Sequence, residues 1–254
     1  MLPARIAELL QPFLSAFPNP CHSEQGQRPG EEPAVLSAIQ LQTISTYIDL
    51  LLRWNARINL TAIRNEEEIV TRHFGESLFA ARHLFPLYPV TSSVSPVPSV
   101  VKDFEVDSAS DKRPATNARV ADLGSGAGFP GLPIKLWAPN IALTLIESNH
   151  KKATFLRELT RALTLTDINI QNARAETLPP ATFDVVTLRA VESFSNILPT
   201  AAGLLAPSGR LALLIASSQL AQAQSILPHI NWQPPIPIPE SRSRILLVGI
   251  SEPQ

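Results

Sequence analysis

Residues 118–129 of this 254-residue chain read ARVADLGSGAGF. A short apolar run, typical of a buried strand, breaks there into three glycines at alternate positions, Gly124, Gly126 and Gly128. Glycine adopts positive φ without a Cβ penalty and lets backbone N–H groups approach a ligand closely. Pro130 follows, with the fixed φ that suits the first position of a helix. The stretch therefore predicts a strand, a ligand-binding turn and a helix.

The glycine spacing alone leaves the cofactor open, because Gly126, Gly128 and Gly131 also fit the dinucleotide pattern G-x-G-x-x-G. Asp122, which we place at the end of the strand, puts a carboxylate beneath the turn. A dinucleotide carries two phosphates and is poorly served by an acid there, whereas S-adenosylmethionine carries an ammonium and a sulfonium and no phosphate. The residues favour S-adenosylmethionine, with an NAD-type cofactor or a purely structural aspartate as alternatives.

The next segments predict a parallel α/β sheet, because strands alternate with helices. A second strand over 141–146 ends at Glu147, close to the spacing at which an acid reaches ribose hydroxyls in a doubly wound sheet. Ser148 and Asn149 follow at the carboxyl edge, where ligands of such sheets bind. The further predicted elements are a helix over 151–163 and strands over 183–188 and 209–215.

The N-terminal third has helical periodicity instead. Apolar residues recur at helical spacing on both sides of a Pro, Gly and Gln-rich break at 18–33, namely Ile6, Leu9, Leu10, Phe13 and Leu14, then Leu36, Ile39, Ile44, Tyr47, Ile48, Leu51 and Leu52. Asn65, followed by three glutamates, predicts the start of a further helix. We therefore predict a helical annex over 1–85, a Pro/Ser-rich insertion or linker that is partly disordered over 86–117, and a sheet core over 118–254.

Composition argues against several kinds of site. Cys21 is the only cysteine, so an internal disulfide and a cysteine metal cage are excluded, and five histidines without paired spacing make us expect no metal. No run approaches the ~18 apolar residues that span a bilayer, and no signal core is visible, so we expect a cytoplasmic protein without a membrane partner. The net charge of −1 indicates no nucleic acid by itself, although a local basic patch would suffice.

Five motifs lie along the chain: WNARINLTAI at 54–63, RHFGES at 72–77, DLGSGAGFPG at 122–131, RAE at 174–176 and LRA at 188–190. Together they resemble the bacterial RsmG (GidB) family of small-subunit ribosomal RNA guanine-N7 methyltransferases. The similarity runs from about Leu36 to Ile215, and the Trp-Asn-x-x-x-Asn-Leu-Thr segment is more family-specific than the glycines.

The resemblance implies a Rossmann-like class I S-adenosylmethionine-dependent methyltransferase sheet and names further cofactor positions. Gly124 and Phe129 match the family's turn, Glu147 its ribose acid, and Arg189 a position at the end of the fourth strand. Ala175 and Glu176 match positions near the adenine. With the residues singled out above, the predicted cofactor set is Asp122, Gly124, Gly126, Phe129, Glu147, Ser148, Asn149, Ala175, Glu176 and Arg189.

Two departures from the family pattern concern charge. Glu76 stands where the family often has aspartate, which keeps the charge. Many members place a lysine after the fifth strand, whereas residues 215–218 read IASS and carry no cation. The basic turn over 241–244 and the strand over 245–250 that follows resemble the family's closing turn and strand, and the turn could replace some of that charge.

The implied substrate is small-subunit ribosomal RNA or a ribosomal particle. Guanine N7 is a neutral lone pair, so transfer needs alignment and exclusion of water rather than a general base, and we assign no catalytic residue. Arg72 and His73 are the predicted positioning residues for RNA. In the alternative, Arg72 forms a surface pair with Glu76 and His73 is a satisfied core residue.

Some assignments stay open at this point. Trp54 is most simply a core aromatic that joins the annex to the sheet, and Asn59 to Thr61 a turn whose side chains bond local backbone. The competing functions are a methyltransferase acting on a small molecule or a protein, and a binding module without turnover.

Overall fold

The computed structural model describes residues 1–15, 36–86, 117–189 and 193–253. The predicted break at 18–33 and nearly all of the predicted insertion lie outside these residues. Within the described ranges, no helix is both long enough and apolar enough to cross a membrane.

The annex consists of helices, as predicted. Helix α1 spans Pro3–Leu14 and α2 spans Ala38–Asn55, and a third helix follows in three parts, α3 (Glu66–Glu68), a π-helical segment (Ile69–Gly75) and α4 (Glu76–Leu84). Ser37 begins α2 with a capping box, since its hydroxyl accepts from Gln40 N–H at 3.2 Å and the Gln40 side chain accepts from Ser37 N–H at 2.8 Å. The Asn65 side chain accepts from Glu68 N–H at 3.0 Å, which confirms the predicted helix start.

The π-helical segment is the part of the annex that periodicity did not predict. Segments of this kind are rare and occur often at functional sites. This one carries Arg72 and His73 and ends at Gly75, where an added Cβ would lie 2.6 Å from the Phe13 ring. Glycine at this position therefore allows α1 to pack directly on the segment.

The predicted core-facing side of α2 includes one residue, Ile39, that does not face the core. Ile39 was predicted to face the core, yet it is 80% exposed, whereas Ile44, Tyr47, Ile48 and Leu51 are completely buried. The buried residues follow the helical i, i+3, i+4, i+7 spacing. Ile39 precedes Ile44 by five residues, which places it about 140° around the helix and away from that stripe.

The core sheet has the doubly wound order β3-β2-β1-β4-β5-β8-β6, with β7 also paired to β8. Strands β1 to β5 are parallel and β8 is antiparallel to β5. The strands are β1 (Arg119–Leu123), β2 (Ala142–Ile146), β3 (Ile168–Gln171), β4 (Phe183–Arg189), β5 (Leu205–Ala216), β6 (Asn231–Trp232), β7 (Ile236–Pro237) and β8 (Arg244–Ile250). The helices are α5 (Gly131–Trp137), α6 (His150–Ala162), α7 (Phe194–Gly203) and α8 (Leu220–Ile226), with short 3-10 turns at Ala175–Thr177 and Ser217–Gln219. The predicted α/β fold with an N-terminal helical annex is confirmed.

Two element boundaries at the glycine turn differ from the prediction. Strand β1 ends at Leu123, one residue beyond Asp122, and α5 begins at Gly131, so Pro130 precedes the helix rather than occupying its first position. The strand continues because Leu123 still pairs with Ile146 of β2 and Leu188 of β4. Asp122 therefore lies within the ladder.

The sheet is covered on both faces, because successive side chains of a strand point to opposite sides. Val185 packs in a core formed with the annex, α5 and α6, whereas its neighbour Val186 packs with α7 and α8. Leu214 and Leu213 of β5 divide in the same way. The annex thus covers one face of the sheet beside the turn that follows β1.

Two of the isoleucines of α2, Ile39 and Ile44, provide a matched test of this packing. Ile44→Ala should lower the free energy of unfolding by about 2–5 kcal/mol, because it leaves a cavity in the core. Ile39→Ala removes the same atoms from a solvent-exposed position and should change it by less than about 0.5 kcal/mol. Urea unfolding monitored by circular dichroism measures both values. Equal losses would contradict the assignment of the buried face of α2.

Candidate cofactor and substrate site

The glycine turn is open on one side and packed on the other. Gly126 has φ +55°, and an added Cβ would meet only the Gly124 carbonyl oxygen at 3.7 Å. Gly128 has φ +95°, and a Cβ there would collide with the Tyr47 hydroxyl. A ligand can therefore approach the backbone at Gly126, whereas the backbone at Gly128 lies against the annex.

Tyr47 holds the turn from the annex side. Its hydroxyl donates to the Ala127 carbonyl at 2.6 Å, and its ring stacks on Phe129 with centroids 5.2 Å apart. Tyr47 is completely buried and Phe129 nearly so. The conformation of the predicted cofactor turn thus depends on the docking of α2.

Asp122 lies beneath the turn, but it is completely buried. Its carboxylate accepts from Gly131 N–H at 3.1 Å and from the Thr187 hydroxyl at 3.0 Å. Burial raises the pKa of Asp122 to about 7, although these hydrogen bonds act in the opposite direction. The sequence predicts that Asp122 attracts a cationic cofactor. Because the carboxylate is buried, this attraction can act only at a distance and not through direct contact.

Glu147 connects the glycine turn to the segment after β2. Its carboxylate accepts from Gly126 N–H at 2.9 Å and from Asn149 N–H at 2.7 Å. The Asn149 side chain in turn caps α6 by accepting from Lys151 N–H at 2.9 Å, and Ser148 is exposed at the same edge. A carboxylate has about four acceptor positions, so Glu147 keeps capacity for the hydroxyls of a ribose. Its position fits the predicted role.

The predicted adenine positions follow β3. Ala175 and Glu176 form a 3-10 turn there, in which Ala175 is buried in the core and Glu176 is exposed. The carboxyl ends of parallel strands meet at one edge of a sheet, so this turn lies on the same side as the glycine turn and Glu147.

Arg189 points towards the annex. Its guanidinium donates to the buried Glu76 carboxylate at 3.2 Å and to the Arg72 carbonyl at 2.6 Å. Arg244 donates to the same Glu76 oxygen at 2.9 Å. The alternative in which Arg72 pairs with Glu76 is wrong, because Arg72 is half-exposed and pairs with Glu68 at 3.2 Å. The Glu76 carboxylate instead accepts hydrogen bonds from two guanidiniums of the sheet, those of Arg189 and Arg244.

His73 is buried next to the glycine turn. Its ring stacks on Phe129 with centroids 4.7 Å apart, and its Nε2 lies 2.8 Å from the Thr61 hydroxyl. Within the described ranges, Nδ1 is buried without a hydrogen-bond partner, so the alternative of a satisfied core histidine is also wrong. Burial, followed by the charges of Arg189, Arg72 and Arg244, lowers the pKa of His73 to about 3. The ring is therefore neutral at physiological pH.

The Trp-Asn motif positions His73 indirectly. Asn55 is buried, and its side chain accepts from Leu60 N–H at 2.7 Å and from Thr61 N–H at 3.0 Å. It thereby holds Thr61 against His73. The predicted turn side chain also bonds local backbone, since the Thr61 hydroxyl accepts from Ile63 N–H at 3.1 Å. The sequence analysis did not include the bonds of Asn55, although asparagine's tendency to bond nearby backbone points to them as well.

Trp54 joins the annex to the sheet domain, as predicted. Its Nε1 donates to Glu158 at 3.0 Å, and its ring lies 5.7 Å from Phe155 of α6.

Arg244 is the last residue of the basic turn over 241–244, which the family resemblance offers as a replacement for the cation missing after the fifth strand. It is the first residue of β8 and pairs in register with Ala216, the last residue of β5. The antiparallel pairing therefore delivers a cation to the end of β5, where residues 215–218 lack one. The resemblance indicates the turn, but only the strand register identifies Arg244 as the residue of that turn which lies beside the end of β5.

The family described as rRNA small subunit methyltransferase G (GidB) matches residues 40–86 and 92–227. The chain belongs to this family. A Ribosomal RNA small subunit methyltransferase G of Xylella fastidiosa (strain 9a5c) is 32% identical over 216 residues, which is 84% of this chain and 87% of that protein. The protein of that name from Halorhodospira halophila (strain DSM 244 / SL1) is 37% identical over 179 residues, 70% of this chain and 71% of the relative.

GidB membership confirms the predicted family, enzyme class and S-adenosylmethionine cofactor, and it sets aside the NAD-type alternative. Among solved structures, a SAM dependent methyltransferase from Aquifex aeolicus overlaps 53% of this chain and 83% of its own, at 14% identity and a TM-score of 0.46. The described residues contain no group of three His, Cys, Asp or Glu side chains that could hold a metal ion.

Two alanine variants of the turn separate ligand approach from packing. Gly126→Ala should lower S-adenosylmethionine affinity at least about tenfold and cost only about 1–2 kcal/mol of stability, because its Cβ has open space in the protein but a strained φ. Gly128→Ala should destabilise the protein more, because its Cβ also meets Tyr47. Calorimetric titration and urea unfolding measure the two effects. Unchanged affinity in folded Gly126→Ala would contradict the site.

Asp122 should leave a signature in the pH dependence of stability. Its folded pKa of about 7 lies above the unfolded value, so the folded state binds the proton more tightly, and stability falls as pH rises from about 4 to about 7. The slope contributed by this group is on the order of 1.4 kcal/mol per pH unit inside that window. Asp122→Asn should remove it. We expect urea unfolding to show wild type losing stability relative to the variant between about pH 5 and 7; a constant difference would contradict the assignment.

Proposed function

We propose that this protein transfers the methyl group of S-adenosylmethionine to N7 of a guanine in small-subunit ribosomal RNA. The observation that carries the proposal is that the GidB match spans both the annex and the sheet. His73 and Glu76 come from the first matched segment, and Asp122 and Arg189 from the second. The relatives named above carry that RNA in their names.

The proposed cofactor site is the carboxyl edge of β1 to β4. The turn from Gly124 to Phe129 would accommodate the methionine part, Glu147 would accept from the ribose hydroxyls, and Ala175 and Glu176 would border the adenine. Ser148 and Asn149 would line the exposed rim. S-adenosylmethionine supplies the electrophilic methyl group when it is bound.

The protein's part in the reaction is positioning. Guanine N7 has a free lone pair, so no side chain has to remove a proton from the acceptor. His73 is held in place by Thr61 and Phe129 and is kept neutral by burial and the nearby arginine charges, which suits contact with a base rather than proton transfer. Arg72, half-exposed on the same segment, is the proposed contact for an RNA phosphate.

The finer points of the assignment are part of the proposal. The partner would be small-subunit ribosomal RNA, free or in an assembling particle in the cytoplasm. Residues 1–85 would form the annex, 118–254 the methyltransferase core, and 86–117 an insertion.

The competing functions differ in where the methyl group goes. Purified enzyme is incubated with labelled S-adenosylmethionine and either a small-subunit rRNA transcript or purified small subunits, and the RNA is digested and analysed by mass spectrometry. We expect 7-methylguanosine at one position. Label in protein or in a metabolite would favour the small-molecule or protein methyltransferase, and unconsumed cofactor in both mixtures would favour a binding module.

The positioning mechanism predicts a weak pH dependence. At saturating RNA and cofactor, the single-turnover rate should change little between about pH 6.5 and 8.5, whereas a titrating general base would give a slope near one. Asp122 titrates in this range, so Asp122→Asn is the control for indirect effects. His73→Ala should weaken RNA binding or lower the rate by a roughly pH-independent factor, and it should change cofactor affinity much less. A log-linear fall below pH 7 in wild type that disappears in His73→Ala would identify His73 as a base and overturn the mechanism.

A further inference from the structure

A small cavity lies at the carboxyl ends of β4 and β5, beside the start of β8. It has a volume of about 80 Å³, more than a single water requires. Its polar lining consists of Arg189, Arg244 and Gln219, and Phe194 borders it as a half-buried aromatic ring. No predicted cofactor residue except Arg189 contributes to this lining.

The cavity carries an excess of positive charge. Arg189 and Arg244 share a single carboxylate oxygen, that of Glu76, at 3.2 and 2.9 Å. Both guanidiniums are largely removed from solvent, with side chains 8% and 19% exposed. One carboxylate balances one of them, so a net charge of about +1 remains at the cavity.

The polar groups of the cavity lining that have no hydrogen-bond partner among the described residues are donors. In the described part of the chain, the hydrogen bonds of Arg189 use Nε and Nη2, and those of Arg244 also use Nε and Nη2, so both Nη1 groups have no partner. Gln219 accepts from Ala216 N–H through its Oε1 at 3.0 Å, which leaves its Nε2 amide without a partner as well. Such a set of groups complements an anion with several acceptor oxygens.

We propose that this cavity binds a phosphate group of the RNA substrate. The inference rests on the proposed function and adds a subsite to it. Two observations favour RNA phosphate over a free anion: the cavity opens at the edge of the sheet where the reaction is proposed to occur, and Phe194 offers a ring on which a neighbouring base can stack. Arg244 supplies here the cation that residues 215–218 lack.

Gln219→Glu is the most direct test. The substitution keeps an acceptor oxygen for Ala216 N–H, but it replaces the free amide donor with a negative charge beside the two guanidiniums. Gln224→Glu is the matched control, because it makes the same charge change at an exposed residue of α8 that does not line the cavity. Binding of a labelled small-subunit rRNA transcript and of purified small subunits is measured over a salt series from about 50 to 200 mM.

We expect Gln219→Glu to raise the Kd of the bound probe at least about tenfold at low salt. Loss of one phosphate contact should also reduce the slope of log K against log salt by about 0.7, the value for single-stranded nucleic acid. Gln224→Glu should change the Kd by less than about threefold and leave the slope unchanged. S-adenosylmethionine affinity should be the same in both variants and in wild type.

Arg244→Gln and Arg242→Gln form a second pair, which keeps the test open if Gln219→Glu does not fold. Arg242 is exposed, two residues before Arg244, and not part of the cavity. The subsite is overturned if both members of each folded pair behave alike, or if affinity falls while the salt slope stays constant, which indicates a base contact. If wild type binds S-adenosylmethionine but neither RNA probe, the proposed function itself fails.

Discussion

The buried carboxylate of Glu76 joins the two parts of this protein. Charges removed from water need partners, and losing one member of a buried pair typically costs about 3–5 kcal/mol. Glu76 belongs to the annex, whereas Arg189 ends β4 and Arg244 begins β8. Docking of the annex and the positions of these two guanidiniums at the carboxyl edge of the sheet are therefore coupled. A substitution that weakens one of them should also weaken the other.

A second connection between the annex and the sheet is aromatic and passes through the glycine turn. Phe129 stacks on both Tyr47 and His73, and Phe74 meets it edge-on at 5.1 Å. The annex consequently contributes directly to the packing of the turn that forms the proposed cofactor site. The two connections meet on one helix, because His73 and Glu76 are three residues apart.

The family-specific motif at 54–63 acquires a physical explanation from these contacts. Asn55 fixes the backbone around Thr61, the Thr61 hydroxyl bonds His73, and His73 stacks on the turn. Each residue acts on the next, and Phe129 of the turn is the only one of them that belongs to the predicted cofactor set. The buried Nδ1 of His73 remains the one polar atom in this chain of contacts whose partner the described protein does not supply. A buried donor or acceptor without a partner is costly, which is consistent with its placement at a binding site.

The sequence by itself determined the features that depend on local backbone chemistry. Alternate glycines specify a turn, alternation of strands and helices specifies a parallel sheet, and Asn65 before three glutamates specifies a helix start. Only the tertiary structure decided the partners of Glu76, which lie 113 and 168 residues away, and the place of Arg244 opposite Ala216. Charge pairs of this kind have no periodicity. Strand register and the free-energy cost of leaving an ion unpaired in the core determine which residues pair. Both factors arise only when the chain has folded.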